Sequence, residues 1–502
     1  MSASPETKPL RLPLVAPFET RFGDLLHKDP KLINAVGERL EDGTYRVLKR
    51  QGVGNYQTLS TSPAGWAITG PGGNFYAENL SLFFSATIPV VLTFVTGFQA
   101  VGSHTTPIVY FNGANPQVVL SQGLSLGVCP PSGVACTQYT NTLVAANTSQ
   151  SASGGIVVVV LDMNALTIAA VTGPSSTSAA PGIETLDDTT YVMDASAVIY
   201  GSALSDAKTW PGLNFIKANS EPGAGVYLAR HYAYIVAMKE FSLEFLYDAA
   251  NPTGSPLNPV PNSTILWGCA DPATVQRIGN RLFWLARERQ GAPFVAVLDA
   301  MRNSKISTPG IDKLVGDPVG PFDSFIYRDS LGHQYYGLTD VGAGYTVVYD
   351  IDNQLWLQWN SPGTTYFPYR SVIVHANGTV IAQSTIAANA SKLYQIDEEF
   401  VTDIAESFDV DIYTPNTDLG TRRRKVLNRM DYIVDQQPGK LYTRWSEDDF
   451  KTFSQFREVD LNVKRPTLTN CGTFRRRAYH FHHNAPYALR MEAVELDVML
   501  GV

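Results

Sequence analysis

Ile265–Leu298 reads ILWGCADPATVQRIGNRLFWLARERQGAPFVAVL, and its pattern decides how the rest of the chain is read. Gly268 to Pro272 (Gly-Cys-Ala-Asp-Pro) is turn chemistry. Arg281–Arg287 follows as a strand. Successive strand residues point to opposite sides, so Leu282, Trp284 and Ala286 share one face while Phe283 and Leu285 share the other. A strand that is apolar on both faces must lie between two layers, which predicts that Trp284 is almost wholly buried. Glu288–Gly291 is a charged turn closed by glycine, and Phe294–Leu298 returns as a second apolar strand. By itself the unit is a core hairpin with no chemistry.

The hairpin recurs. Tyr191–Ile199, Tyr232–Met238 with Phe241–Tyr247, Gln334–Thr339 with Tyr345–Trp359, and Val372–Ala382 with Lys392–Ile396 have the same character. With Tyr191, Tyr234, Phe283, Tyr335 and Val380 as markers, the steps are 43, 49, 52 and 45 residues. That spacing falls near the roughly 40–50 residues of a propeller blade. No helical period longer than about two turns competes with it. The expectation is an all-β protein: a β-propeller-like repeat body over residues 55–404, an N-terminal arm over 1–54, and a C-terminal β-sandwich-like domain over 405–502. The last boundary rests on a rise in charge, with Arg422 to Lys425, Glu447 to Asp449 and Arg475 to Arg477 in quick succession.

Composition narrows the function classes. The 502 residues carry a formal charge of −8, so no global basic field points to nucleic acid. Four cysteines (Cys129, Cys136, Cys269, Cys471) are too few for a disulfide framework and are read as thiols. The N-terminus lacks an apolar core of signal-peptide type. From Asn79 to Ile183 the only Asp, Glu, Lys or Arg is Asp162. Leu80–Ala100 is uncharged and long enough to suggest a membrane span. Pro89 interrupts it, Ser, Thr and Gln dilute it, and basic flanks are missing, so it reads as strand. A neutral surface of this length is suited to burial between subunits or to lining a passage that must not grip charge; a plain polar exterior is the other reading.

Asp187-Asp188, Glu398-Glu399 and Asp448-Asp449 could suggest the paired carboxylates of glycoside hydrolysis, but neighbours on a strand point apart, so each pair reads as turn residues. His480 and His482 lie on one strand face, a two-ligand edge with His483 on the other side and no third ligand at metal spacing. Gly70 to Gly73 (Gly-Pro-Gly-Gly) lacks the Lys-Ser/Thr of a phosphate loop and reads as a turn. Ser446, Asp448 and Thr452 with Phe453 resemble an Asp-box, a structural hairpin turn, with Phe450 where that motif carries glycine. No catalytic, cofactor-binding or metal residue is assigned. The candidate interaction surface is Arg422, Arg423, Arg424, Lys425, Arg475, Arg476 and Arg477. On a strand, Arg422 and Arg424 would share a face, as would Arg475 and Arg477. Such runs suit phosphate backbones, or else a solvated or salt-bridged contact face.

Lys28 to Asn34, Tyr45–Gly52, Ser202–Trp210, Leu213 to Phe215, Trp267 to Pro272, Gly279 to Trp284, Tyr349 to Trp356, Leu393 to Asp397, Arg444 to Asp448 and Gly472 to Arg477 recur in a shared order. Together they resemble the packaged-DNA stabilisation proteins of short-tailed double-stranded DNA phages, also described as the tail hub or nozzle. The likeness covers both ends and most of 186–502, and is poor over roughly 55–180. It implies a structural virion protein and no enzyme: a hexameric tube below the portal and its adaptor ring that closes the channel, holds packaged DNA and carries it outward at ejection. The implied partners are adaptor (head-to-tail connector) proteins, tail fibres or spikes, a plug protein, and double-stranded DNA passing without sequence readout. It implies assembly in the host cytoplasm, with no cofactor and no membrane-spanning segment. Two other classes fit the same pattern: a propeller glycan hydrolase or depolymerase, and a monomeric binding propeller.

Overall fold

A computed structural model describes residues 10–15, 31–58, 179–329, 332–374, 379–386 and 392–500, together with backbone strands between residues 75 and 174. Gly70–Gly73 and Cys129 lie outside the described residues, as do the side chains between residues 75 and 172, Cys136 among them.

The hairpin markers fall on the second strand of successive antiparallel sheets. The first sheet is Phe75–Phe84, Pro89–Gly97, Thr105–Asn112 and Asn115–Ser125, so the uncharged run at Pro89 is strand. The second is Val134–Tyr139, Thr142–Asn147, Val157–Asp162 and Thr167–Thr172. The third is Ala179–Leu186, Thr189–Asp194, Val198–Gly201 and Phe215–Lys217. The fourth is Gly225–His231, Tyr234–Lys239, Leu243–Asp248 and Leu257–Pro259. In the fifth, Gly268–Cys269 and Gln276–Ile278 share the inner position beside Arg281–Arg287, followed by Phe294–Asp299 and Arg302–Lys305. The sixth is Phe322–Arg328, Gln334–Asp340, Tyr345–Asp350 and Leu355–Gln358. The seventh takes Tyr369–Val374, Val380–Ser384 and Lys392–Asp397, and borrows Gly52–Thr58 as its last strand.

Alternation along each second strand explains why the sheets stack face to face. In the fifth, Leu282, Trp284 and Ala286 pack with Val236, Met238 and Phe245 of the fourth, while Phe283 and Leu285 pack with Tyr336, Leu338 and Val347 of the sixth. In the fourth, Ile235 and Ala237 turn the other way, against Tyr191, Met193 and Ile199 of the third. Each strand is thus apolar on both sides because each has a sheet on both sides. Trp284 is 0% exposed, and its indole N–H donates to the Gly268 carbonyl at 3.0 Å. The first strand of the seventh sheet lies against that of the first, which brings the two ends of the repeat array together. This is the architecture of a β-propeller. Among the described residues the α-helix is Pro309–Val315, and no helix is long and apolar enough to cross a membrane.

The described residues of the expected N-terminal arm, 10–15 and 31–54, are built into the protein's own sheets. Ala35–Arg39 and Tyr45–Lys49 join Arg490–Leu500, Lys425–Val434 and Thr467–Thr469 in one sheet, with Leu10–Arg11 and Thr473–Phe474 alongside. Lys31–Ile33, Val410–Tyr413, Ala478–His483, Lys440–Ser446 and Arg457–Asp460 form the facing sheet. Leu427, Met430, Tyr432, Met491 and Val494 meet Leu441, Val410, Ile412 and Phe481 between them, the core of a β-sandwich. Ile33 also pairs in parallel with Gln358, so the second sheet runs on into the sixth propeller sheet, and the two bodies share one core.

Candidate functional site

The arginine runs sit at the mouth of one strand pair. Lys425 pairs with Phe474 and Val426 with Thr473, so residues 421–424 and 475–476 leave the sheet side by side. Residues 421–424 and 475–476 are not strand, and strict alternation does not govern them. Arg475 is exposed while Arg477 is buried, against the expectation that they share a face. Arg422, Arg423, Arg424 and Arg476 are exposed. Lys425 is also buried rather than on the surface, as is Arg477, each 1% exposed.

Both buried cations have a visible task. The Lys425 ammonium donates to the carbonyls of Thr421 (2.5 Å), Arg423 (3.0 Å) and Arg475 (2.8 Å). It therefore ties the two arginine loops to each other through their backbones. The Arg477 guanidinium donates to the Cys471 carbonyl at 2.7 Å and pairs with Glu447 at 2.6 Å, and it lies over the rings of Trp445 and Phe474. A buried charge survives only with such partners. Above them, Arg476 meets Asp449 at 3.3 Å, and Arg424 reaches the Thr473 hydroxyl at 3.1 Å. Among the described residues, no carboxylate pairs with Arg422, Arg423, Arg424 or Arg475.

The turn beside this surface is an Asp-box in geometry. Asp448 accepts from the Ser446 hydroxyl (2.8 Å), the Thr452 backbone N–H (2.9 Å) and the Thr452 hydroxyl (2.7 Å), while the Phe450 N–H donates to Ser446 Oγ at 2.9 Å. The hydrogen bonds from Thr452, joined by that from Ser446, hold the Asp448 carboxyl at a pKa of about 2. Phe450 has φ +64°, a left-handed conformation that explains why glycine suits this position elsewhere. The ring is nonetheless kept because it is buried. Asp187 and Asp188, with φ of +44° and +63°, form the tight turn between Leu186 and Thr189, as expected of turn residues.

The histidine edge has a third member that sequence reading missed. Asp411 lies opposite His482 across the strand pair, and its Oδ1 is 2.6 Å from His480 Nε2 and 2.8 Å from His482 Nδ1. Arg444 Nε donates to His480 Nδ1 at 2.8 Å. Arginine has no lone pair to offer, so His480 Nδ1 is the acceptor and Nε2 carries the proton given to Asp411. The nitrogen that faces Asp411 is then occupied by that proton, and a guanidinium stands beside the group. The donor set fits a hydrogen-bonded network better than a cation. Burial alone would raise the Asp411 pKa, but the bonds from His480 and His482 outweigh it and hold the carboxyl well below the usual range. The Asp411 bond raises the pKa of His482, whereas desolvation lowers that of His480.

Where the bodies meet, Arg50 makes a bidentate pair with Asp403 (2.6 and 3.0 Å), side chains 1% and 2% exposed. Asn34 Oδ1 and the Asn360 carbonyl accept from the same guanidinium, Ser361 donates to Asp403, and the Phe408 ring lies 3.9 Å below. The network pins the first described strands, the sixth sheet and the connection at 400–408 to one another.

The described residues place the chain in the class of β-propeller proteins, with buried ion pairs and an exposed arginine surface as their built features. Residues 144–317 match the family model described as Bacteriophage P22 Gp10, beta-propeller, and over that stretch the chain is similar to that family. The stretch takes in the third, fourth and fifth sheets whole. No curated protein matches the chain. A solved structure, the computationally designed Ika8 protein, aligns at 12% identity over 64% of this chain and 96% of its own, with a TM-score of 0.36; a likeness that loose carries no argument.

Proposed function

We propose that this chain is a tail hub or nozzle protein of a phage: it closes the portal–adaptor channel after packaging, retains the DNA and forms the conduit for its ejection. The observation that carries the reading is the match of the phage-stabilisation propeller to three consecutive sheets of a ring whose ends are brought together. The stapled junction at Arg50–Asp403 supports it, because a part that holds back compressed DNA gains from a body and sandwich that share one core. In this reading the chain acts as a homo-oligomer, a hexamer, in the virion tail. Its neighbours are the adaptor ring, fibres or spikes and a plug protein, and the DNA passes without sequence readout. The net charge of −8 suits passage, since a cationic wall would grip a polyanion through counterion release. The test is mass in solution with negative-stain imaging, alone and with the adaptor ring. Rings of six chains are expected; a monomer under both conditions, or cleavage of polysaccharide by the purified chain, would overturn the reading.

A further inference from the structure

We propose that the two arginine loops, residues 421–424 and 475–476, form the docking surface for an acidic face of a different protein of the particle. The inference rests on the virion reading above and adds the surface and the chemistry of its partner.

Five exposed guanidiniums crowd one strand mouth, and among the described residues only Arg476 has a carboxylate partner. Like charges held together in this way repel one another unless a partner supplies the opposite sign. The crowding is built in: the buried Lys425 spends its ammonium on the carbonyls of Thr421, Arg423 and Arg475, which fixes the loops side by side. Arginine suits bidentate recognition of carboxylate or phosphate. The rim decides between them. Asp449 pairs with Arg476 and Glu447 with the buried Arg477 at one edge, so the positive patch is short and bounded by carboxylates, whereas a phosphate backbone calls for an extended basic track. A confined positive patch is complementary to an acidic patch on a protein surface.

Placing p-benzoylphenylalanine at position 422 in assembled particles, followed by irradiation and peptide sequencing, tests this. The expected product joins this chain to an Asp- or Glu-rich peptide of a different virion protein. A product with DNA or with a second copy, or no product, overturns the proposal. Absence of the chain from particles altogether overturns the virion reading as well, and a blot of unirradiated particles separates the two failures. In parallel, the triple variant Arg422→Glu, Arg424→Glu, Arg475→Glu leaves Lys425 and Arg477 in place. It should melt as the wild type does yet enter particles at least about tenfold less well. Unchanged melting with unchanged incorporation overturns the proposal, and if the variant misfolds the cross-link decides.

Discussion

Arg50 and Asp403 are 353 positions apart, and nothing in either neighbourhood announces the pair. With both side chains almost wholly out of water, removing one partner leaves the other charged and unpaired. Asp403→Asn should therefore cost about 3–5 kcal/mol, read by denaturant unfolding; a loss near zero would show that the junction is held by packing alone. Asp448 is a milder case with a pH signature. Its folded pKa lies at about 2, below the ordinary 3.8, so its contribution is complete above the ordinary value and is lost as pH falls through the folded one. The stability gap between wild type and Asp448→Ala should persist at neutral pH and close as pH approaches 2. A gap independent of pH would mean that the turn does not depend on the carboxylate. The candidate surface was legible only in part at this scale. Seven basic residues were visible as two runs, but Lys425 and Arg477 look no different in sequence from the exposed five. What buries them is the strand pairing of Lys425 with Phe474 and the ion pair with Glu447, 30 positions away. Asp411 was missed for the same reason, since it meets His482 from 71 positions away.

At the scale of elements the sequence was more informative, because the propeller repeats one local rule. A strand with apolar residues on both faces needs a sheet on both sides, and Arg281–Arg287 carries that rule in five consecutive side chains. The closing strand Gly52–Thr58 carries no comparable signal. It is rich in small and polar residues, and its partner Lys392–Asp397 lies at the far end of the repeat array. Its glycine is the trace left behind: a side-chain carbon at Gly52 would run into the carbonyl oxygens of Phe400 and Thr402. Gly52→Ala should then lower stability by about 1–3 kcal/mol, through overpacking against backbone that cannot move aside. Hydrogen exchange should show the loss first along Lys392–Asp397. Unchanged protection there would mean that the seventh sheet does not need its borrowed strand. The same closure takes up the described residues of the expected N-terminal arm, 10–15 and 31–54. Their strands complete the sandwich and the seventh sheet of the same chain.

For the whole molecule, the placing of the neutral run from Asn79 to Ile183 remains a proposal, since its side chains up to residue 172 lie outside the described residues; its strands belong to the first sheets of the ring. Desolvating an unpaired charge costs several kcal/mol, so late-forming interfaces favour neutral polar surface, and a DNA passage favours few fixed cations. We expect this region to face neighbouring subunits or the lumen. Lysines placed together at Gln117 and Gln122 should either block assembly or slow ejection in a salt-dependent way. Normal assembly and ejection, with both lysines freely modified in intact particles, would put the region on the outer surface. The central claim, that the chain retains packaged DNA, is tested most directly by nuclease protection of genomes in particles assembled without it. Such particles should fill with DNA and then lose it, leaving the genome open to digestion until the purified chain is added back. Genomes that stay as well protected without the chain as with it would contradict the account.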